Sequence, residues 1–118
     1  MKNLLIIILS VFSILVSSPV VAEKLDEKGK IEYLLKAIGG SGLVFIRNGE
    51  EHLASEAEEH LRMKLKKAGD KIKTADDFIN NIASKSSMTM KPYYIKLKDG
   101  TLVEAEKWLH NKLDSIKE

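Results

Sequence analysis

The chain has 118 residues, three histidines and no cysteine, so neither a disulfide framework nor a thiolate metal site is open to it. Its 19 Lys and Arg against 17 Asp and Glu leave a formal net charge of +2. Lys2 supplies one unit of that charge, and so near a balance gives no long-range field for nucleic acid. A cysteine-free domain of this size must stand on its hydrophobic core.

The first segment carries an export pattern. Lys2 is the sole charge before Glu23, Leu4 to Val16 is apolar apart from Ser10 and Ser13, and Ser17, Ser18 and Pro19 break the run ahead of Val20-Val21-Ala22. A basic start, an apolar middle and a small residue at the cleavage point predict a signal peptide over 1–22 and a mature domain over 23–118. The competing reading is an uncleaved anchor, since Leu4 to Ala22 is close to the ~20 residues that span a bilayer. Pro19 and the Ser17-Ser18 pair argue against it, and the lack of cysteine excludes a lipoprotein. The expected location is the periplasm, or the outside where there is no outer membrane, with a mature form that does not span a membrane.

Within the mature part, Ile31, Leu34, Leu35 and Ile38 keep the spacing of one helical face, and Gly39-Gly40 stops it. Leu43 to Arg47, Asn48-Gly49 and Glu50 to Leu53 read as a tight hairpin. Ser55 is the expected cap of a second helix whose stripe is Ala57, Leu61, Leu65 and Ala68, with Gly69 as its stop. Thr74 with Asp77 forms a capping box ahead of Phe78, Ile79 and Ile82. Ser84 to Lys91 has no period and reads as a loop. Beyond Pro92, Tyr93, Ile95 and Leu97 alternate with Tyr94, Lys96 and Lys98 as a half-buried strand. Asp99-Gly100 turns it back through Thr101 to Val103, and a last helix carries Ala105, Trp108, Leu109, Leu113 and Ile116 on one side.

Strand, Asn/Asp-Gly turn, short strand and acidic helix start recur from Phe45 and from Ile95. Two such units joining their hairpins would give a single α+β domain, a four-stranded antiparallel sheet covered by helices. Chance recurrence of a common motif is the other reading.

Catalytic signals are sparse. His52, His60 and His110 have no metal spacing, no Gly-x-Ser-x-Gly or Ser-x-x-Lys occurs, and the paired acids Glu58-Glu59 and Asp76-Asp77 sit near helix starts, where they complement the macrodipole. His60, one turn after Glu56, reads as an i,i+4 contact, and His110 as solvent-exposed. No nucleotide, flavin, haem or metal cofactor is indicated. Arg62, Lys64, Lys66, Lys67, Lys71 and Lys73 stand against the single Asp70, as a solvated face or as a patch for an anionic lipid head group, lipopolysaccharide or cell-wall polymer. The loop with Ser84, Lys85, Ser86, Ser87, Met88 and Met90 is either a connector or an anion-binding concavity, its methionines free to close over the core.

The segments from Ile31 (IEYLL), Phe45 (FIRNG), His60 (HLRMK), Lys73 (KTADDFINNIASKSSM), Lys91 (KPY), Lys98 (KDGT) and Trp108 (WL) resemble the YfeK-like family of small bacterial periplasmic proteins. The resemblance covers nearly the whole mature chain. Thr74 to Ser87 with the following Lys-Pro-Tyr is its most specific part. The family's pattern carries a glycine before that Lys-Pro, where this chain has Met90. The resemblance implies export and one domain but no activity, and it directs attention to Arg47, His60, Arg62, Lys64, Thr74, Asp77, Ser84, Ser86, Ser87 and Tyr93. Two function classes follow. One is a non-enzymatic periplasmic module binding an anionic envelope component or a protein partner through the Ser84 to Tyr94 loop, Lys85 included, and the Arg62 to Lys73 cations. The other is a small hydrolase or transferase assembled from His60, Asp77 and a serine of the loop.

Overall fold

The computed structural model describes residues 24–116, so the expected signal peptide lies outside the described residues. Helix α1 (Glu27–Gly39) starts where the Asp26 carboxylate accepts from the Gly29 N–H at 2.8 Å, and it buries Ile31, Leu34, Leu35 and Ile38. The first hairpin follows, β1 (Val44–Arg47) and β2 (Glu50–His52). Asn48 and Gly49 take φ of 53° and 82°, the left-handed pair that a two-residue turn needs to match the strand twist.

Helix α2 (Ala54–Ala68) begins one residue before the expected cap, and this is a correction. Leu53 is the extended entry residue, Ser55 lies exposed in the first turn, and the Glu56 carboxylate accepts from the Leu53 N–H at 3.1 Å. The hairpin ends so close to the helix that a single residue joins them, and the acid three places on takes the capping role. A short 3-10 turn (Gly69–Lys71) leads to α3 (Ala75–Phe78), which widens into a π turn over Ile79–Ala83. The Thr74–Asp77 box forms as expected, Thr74 Oγ1 accepting from Asp77 N at 3.0 Å and Asp77 Oδ2 from Thr74 N at 3.2 Å.

Strands β3 (Tyr94–Lys96) and β4 (Leu102–Glu104) make the second hairpin and lead into α4 (Ala105–Asp114). Its turn has three residues. Leu97 O accepts from Gly100 N and Leu97 N donates to Thr101 O, with Gly100 at φ 91°. The sheet order is β2-β1-β3-β4 and every pairing is antiparallel. The two hairpins meet through their first strands with Phe45 opposite Ile95, the residues that begin the two recurring segments.

The helices cover one face of this sheet. Phe78, Leu34, Leu35, Ile38, Ile79, Ile95, Leu109 and Leu113 are fully buried between the layers, each contributing about 1.5–3 kcal/mol of transfer free energy. The Phe45 and Trp108 rings meet edge to face at 6.4 Å, tying the first hairpin to α4. Among the described residues no helix is long and apolar enough to cross a membrane.

Candidate functional site

Helix α2 presents charge on two sides. Arg62 points at α1, where it donates to both Glu32 oxygens at 3.0 and 2.8 Å and to Glu58 at 2.9 and 2.8 Å. That double fork raises the already high pKa of its guanidinium and holds the Glu32 carboxyl below the usual range. Arg62 is therefore fully engaged in joining two helices.

Lys64, two residues on, faces the other way. Its ammonium donates to Ile82 O at 2.7 Å, to Lys85 O at 3.1 Å and to the Tyr93 hydroxyl at 3.1 Å, and it lies 5.0 Å from the centre of the Tyr93 ring. Ile82 lies in the last part of the π turn and Lys85 two residues beyond its end, where backbone carbonyls lack helical partners, so a cation there is a cap supplied from another helix. Burial first, then Arg47 nearby, push the Lys64 amine down to about 8. His60, one turn earlier, approaches the Tyr93 hydroxyl with its Nε2 at 3.4 Å. Burial, followed by Arg47 and Lys64, lowers its pKa, and burial raises that of Tyr93. The i,i+4 contact expected between His60 and Glu56 is replaced by this one, because Glu56 turns to Leu53 and to His52, whose Nδ1 is 3.8 Å away. His110 is also corrected: it is half-buried, with Nδ1 3.8 Å from Asp76.

Of the residues singled out from the sequence, Arg47, His60, Lys64 and Tyr93 converge, with the Lys85 carbonyl beside them. Arg62, Thr74, Asp77, Ser84 and Ser86 serve local structure, whereas Ser87 is exposed on the loop. Asp77 accepts from Lys73 N and Thr74 N, which lowers its pKa; Ser84 Oγ donates to Asn80 O at 2.9 Å; Ser86 Oγ accepts from Thr89 N at 3.2 Å. His60, Asp77 and these two serines are thus each bonded to different partners. His52 belongs beside the convergent set and was missed, although a register counted from Asn48-Gly49 places it opposite Phe45.

The loop is neither shapeless nor folded over the core. Ser86 N donates to Lys91 O and Met90 N to Ser86 O, closing a compact turn, and Thr89 Oγ1 donates to Asn48 Oδ1 at 2.7 Å, tethering it to the first hairpin. Met90 keeps a left-handed φ of 66°, the conformation a glycine adopts freely, and the tip leaves Met88 92% and Met90 61% exposed. Beside it lies a broad open depression lined by Lys64, Lys67, Lys71, Asn81, Ile82 and Ser87.

These features define a small α+β protein with two joined hairpins and a cationic junction where α2, the π turn and β3 meet. Residues 25–117 match the model of a family of unknown function, DUF5329, and the chain belongs to that family. It is 39% identical over 89 residues to the uncharacterized protein YfeK of Salmonella typhimurium (strain LT2), an alignment covering 74% of each chain. No solved structure matches.

Proposed function

We propose that the chain is an exported, non-enzymatic binding module of the bacterial envelope that docks on an anionic phospholipid surface. The observation that carries this reading is an apolar tip set among unpaired cations. Met88 and Met90 project from the loop, while Lys67, Lys71, Lys85 and Lys91 around it are exposed and make no ion pair among the described residues. Near an anionic leaflet each such lysine contributes about 1 kcal/mol. A buried methionine adds about 1.5–3 kcal/mol. Left-handed backbone at Met90 costs about 1 kcal/mol or more, which supports selection of that residue for something other than the turn. The basic start and apolar run of residues 1–22 supply the export part of the reading.

Co-sedimentation with vesicles tests it. The protein should pellet with phosphatidylglycerol-containing vesicles and stay in solution with pure phosphatidylcholine, and binding should fall steeply between about 0.1 M and about 1 M salt as the Debye length shrinks from ~10 to ~3 Å. Met88→Ser with Met90→Ser should weaken binding about tenfold or more. Equal binding to both lipids, or none to either, contradicts the proposal.

A further inference from the structure

The open depression beside the loop has a volume of about 460 Å3, within the range of small-molecule sites. Two elements build most of it. Lys64, Lys67 and Lys71 follow one another at helical spacing along α2 and the 3-10 turn after it, which brings them to one side. The π turn supplies Asn81 and Ile82 to the other side, and such turns recur at functional positions. Ser87 completes the rim from the loop, and Ala68, Ile72 and Ile82 give an apolar wall.

Four polar groups of this depression are free to meet a ligand. Lys67, Lys71, Asn81 and Ser87 are exposed, and their side chains make no hydrogen bond or ion pair among the described residues. Lys64 is already committed to the Ile82 and Lys85 carbonyls and the Tyr93 hydroxyl, so it adds positive charge rather than a free donor. Among the described residues no Asp or Glu lines the depression, and Asp70, the one acid in the cation run, is exposed outside its lining.

We infer that this depression seats the head group of a single anionic phospholipid, a phosphodiester carrying hydroxyl groups, with Lys67 and Lys71 on the phosphate and Asn81 and Ser87 on the hydroxyls. Such a site rests on the surface docking proposed above and names the lipid feature it recognises. A planar carboxylate is matched best by a guanidinium fork, whereas ammonium groups act as point charges that suit a tetrahedral phosphate. An amide and a hydroxyl each donate and accept, as the hydroxyls of a polyol head group do. A free small molecule is normally buried over most of its surface, but this depression is open, which leaves acyl chains a way out. Ser87 precedes Met88 in the chain, so the rim leads directly to the exposed apolar tip.

The test has a soluble arm and a vesicle arm. In the first, glycerophosphoglycerol, the deacylated head group of phosphatidylglycerol, is titrated into the purified protein and followed by NMR of backbone amides. Dimethyl phosphate, which lacks the hydroxyls, and glycerol, which lacks the charge, are the comparison probes. Glycerophosphoglycerol should give saturable shifts centred on Lys67, Lys71, Asn81 and Ser87. Affinity should fall about tenfold for Lys67→Gln with Lys71→Gln and severalfold for dimethyl phosphate, and glycerol should not bind. Both lysines are exposed and unpaired, so the double variant has no contact of the fold to lose. In the second arm, phosphatidylglycerol and phosphatidylserine, each diluted to equal charge in phosphatidylcholine, are compared by co-sedimentation. Phosphatidylglycerol should bind severalfold more tightly, and Asn81→Ala with Ser87→Ala should remove that preference. No saturable shift, equal affinity for glycerophosphoglycerol and dimethyl phosphate, or unchanged affinity in the lysine variant overturns the inference. Equal binding to the two anionic lipids also overturns it while leaving the docking reading intact. Saturable binding of the soluble diester without pelleting on any vesicle removes the lipid as its source, and the docking reading with it.

Discussion

Arg62 and Lys64 stand two residues apart on α2, and their surroundings are opposites. Arg62 meets two carboxylates, is partly open to water and joins α1 to α2. Among the described residues Lys64 meets no carboxylate: two backbone carbonyls and a phenol hold it, and burial, then the nearby Arg47, push its pKa down. On the first side charge is neutralised and serves as scaffold. On the second, Lys67, Lys71, Lys85 and Lys91 make no ion pair among the described residues around the depression, the arrangement expected where an outside anion completes the site.

The two sides should separate in stability measurements. Lys64→Met strands the Ile82 and Lys85 carbonyls and should cost about 2–4 kcal/mol, read as a lowered urea midpoint at unchanged slope. Arg62→Ala removes a half-exposed ion-pair cluster and should cost only about 1 kcal/mol, an effect that shrinks in high salt. Equal losses would erase the distinction between a buried cap and a surface bridge.

Acidification should act through the second side. His60 is neutral in both states well above pH 6.5, so its burial then carries no charge penalty. As pH falls below about 6.5 the unfolded chain takes up its proton first, because the folded pKa is lowered by burial, Arg47 and Lys64. Stability should therefore decline through that window and level off once the folded form also protonates. His60→Gln should flatten this part of a pH series of thermal melts; an unaltered slope would show that other groups govern it.

Met90→Gly gives the smallest effect. Release of the left-handed strain is partly offset by glycine's greater freedom when unfolded, so a net gain of about 0.5 kcal/mol is expected, together with weaker vesicle binding. Stability lost rather than gained would mean that the Met90 side chain packs usefully in the fold.

The parts of the fold that were legible in the sequence are those set by local chemistry. Asn48-Gly49 and Asp99-Gly100 dictate both turns, Thr74 and Asp77 dictate the start of α3, and Ile31 to Ile38 mark the buried face of α1. Recurrence of the hairpin pattern from Phe45 and Ile95 anticipated that the two hairpins form one sheet. The start of α2 was misplaced because Ser55 is a good cap in isolation, whereas the nearby hairpin end made Leu53 the entry residue. The cation run from Arg62 to Lys73 looked continuous, yet residues two apart on a helix point about 200° away from each other, so Arg62 and Lys64 part company. The cap on Lys64 depends on the π turn at Ile79–Ala83, which has no sequence period to announce it. His52 is the instructive omission, since strand alternation and the Asn-Gly register were enough to put it on the covered face.

The claim that the unpaired side of α2 and its neighbouring loop form the docking surface is tested most directly by two-dimensional NMR of the purified protein, titrated with anionic bicelles and, separately, with neutral ones. Broadening confined to Met88, Met90, Lys67, Lys71, Lys85 and Lys91, and caused only by the anionic bicelles, is the result expected. Broadening centred on Arg62 and Glu32, or no difference between the two bicelles, would contradict the account.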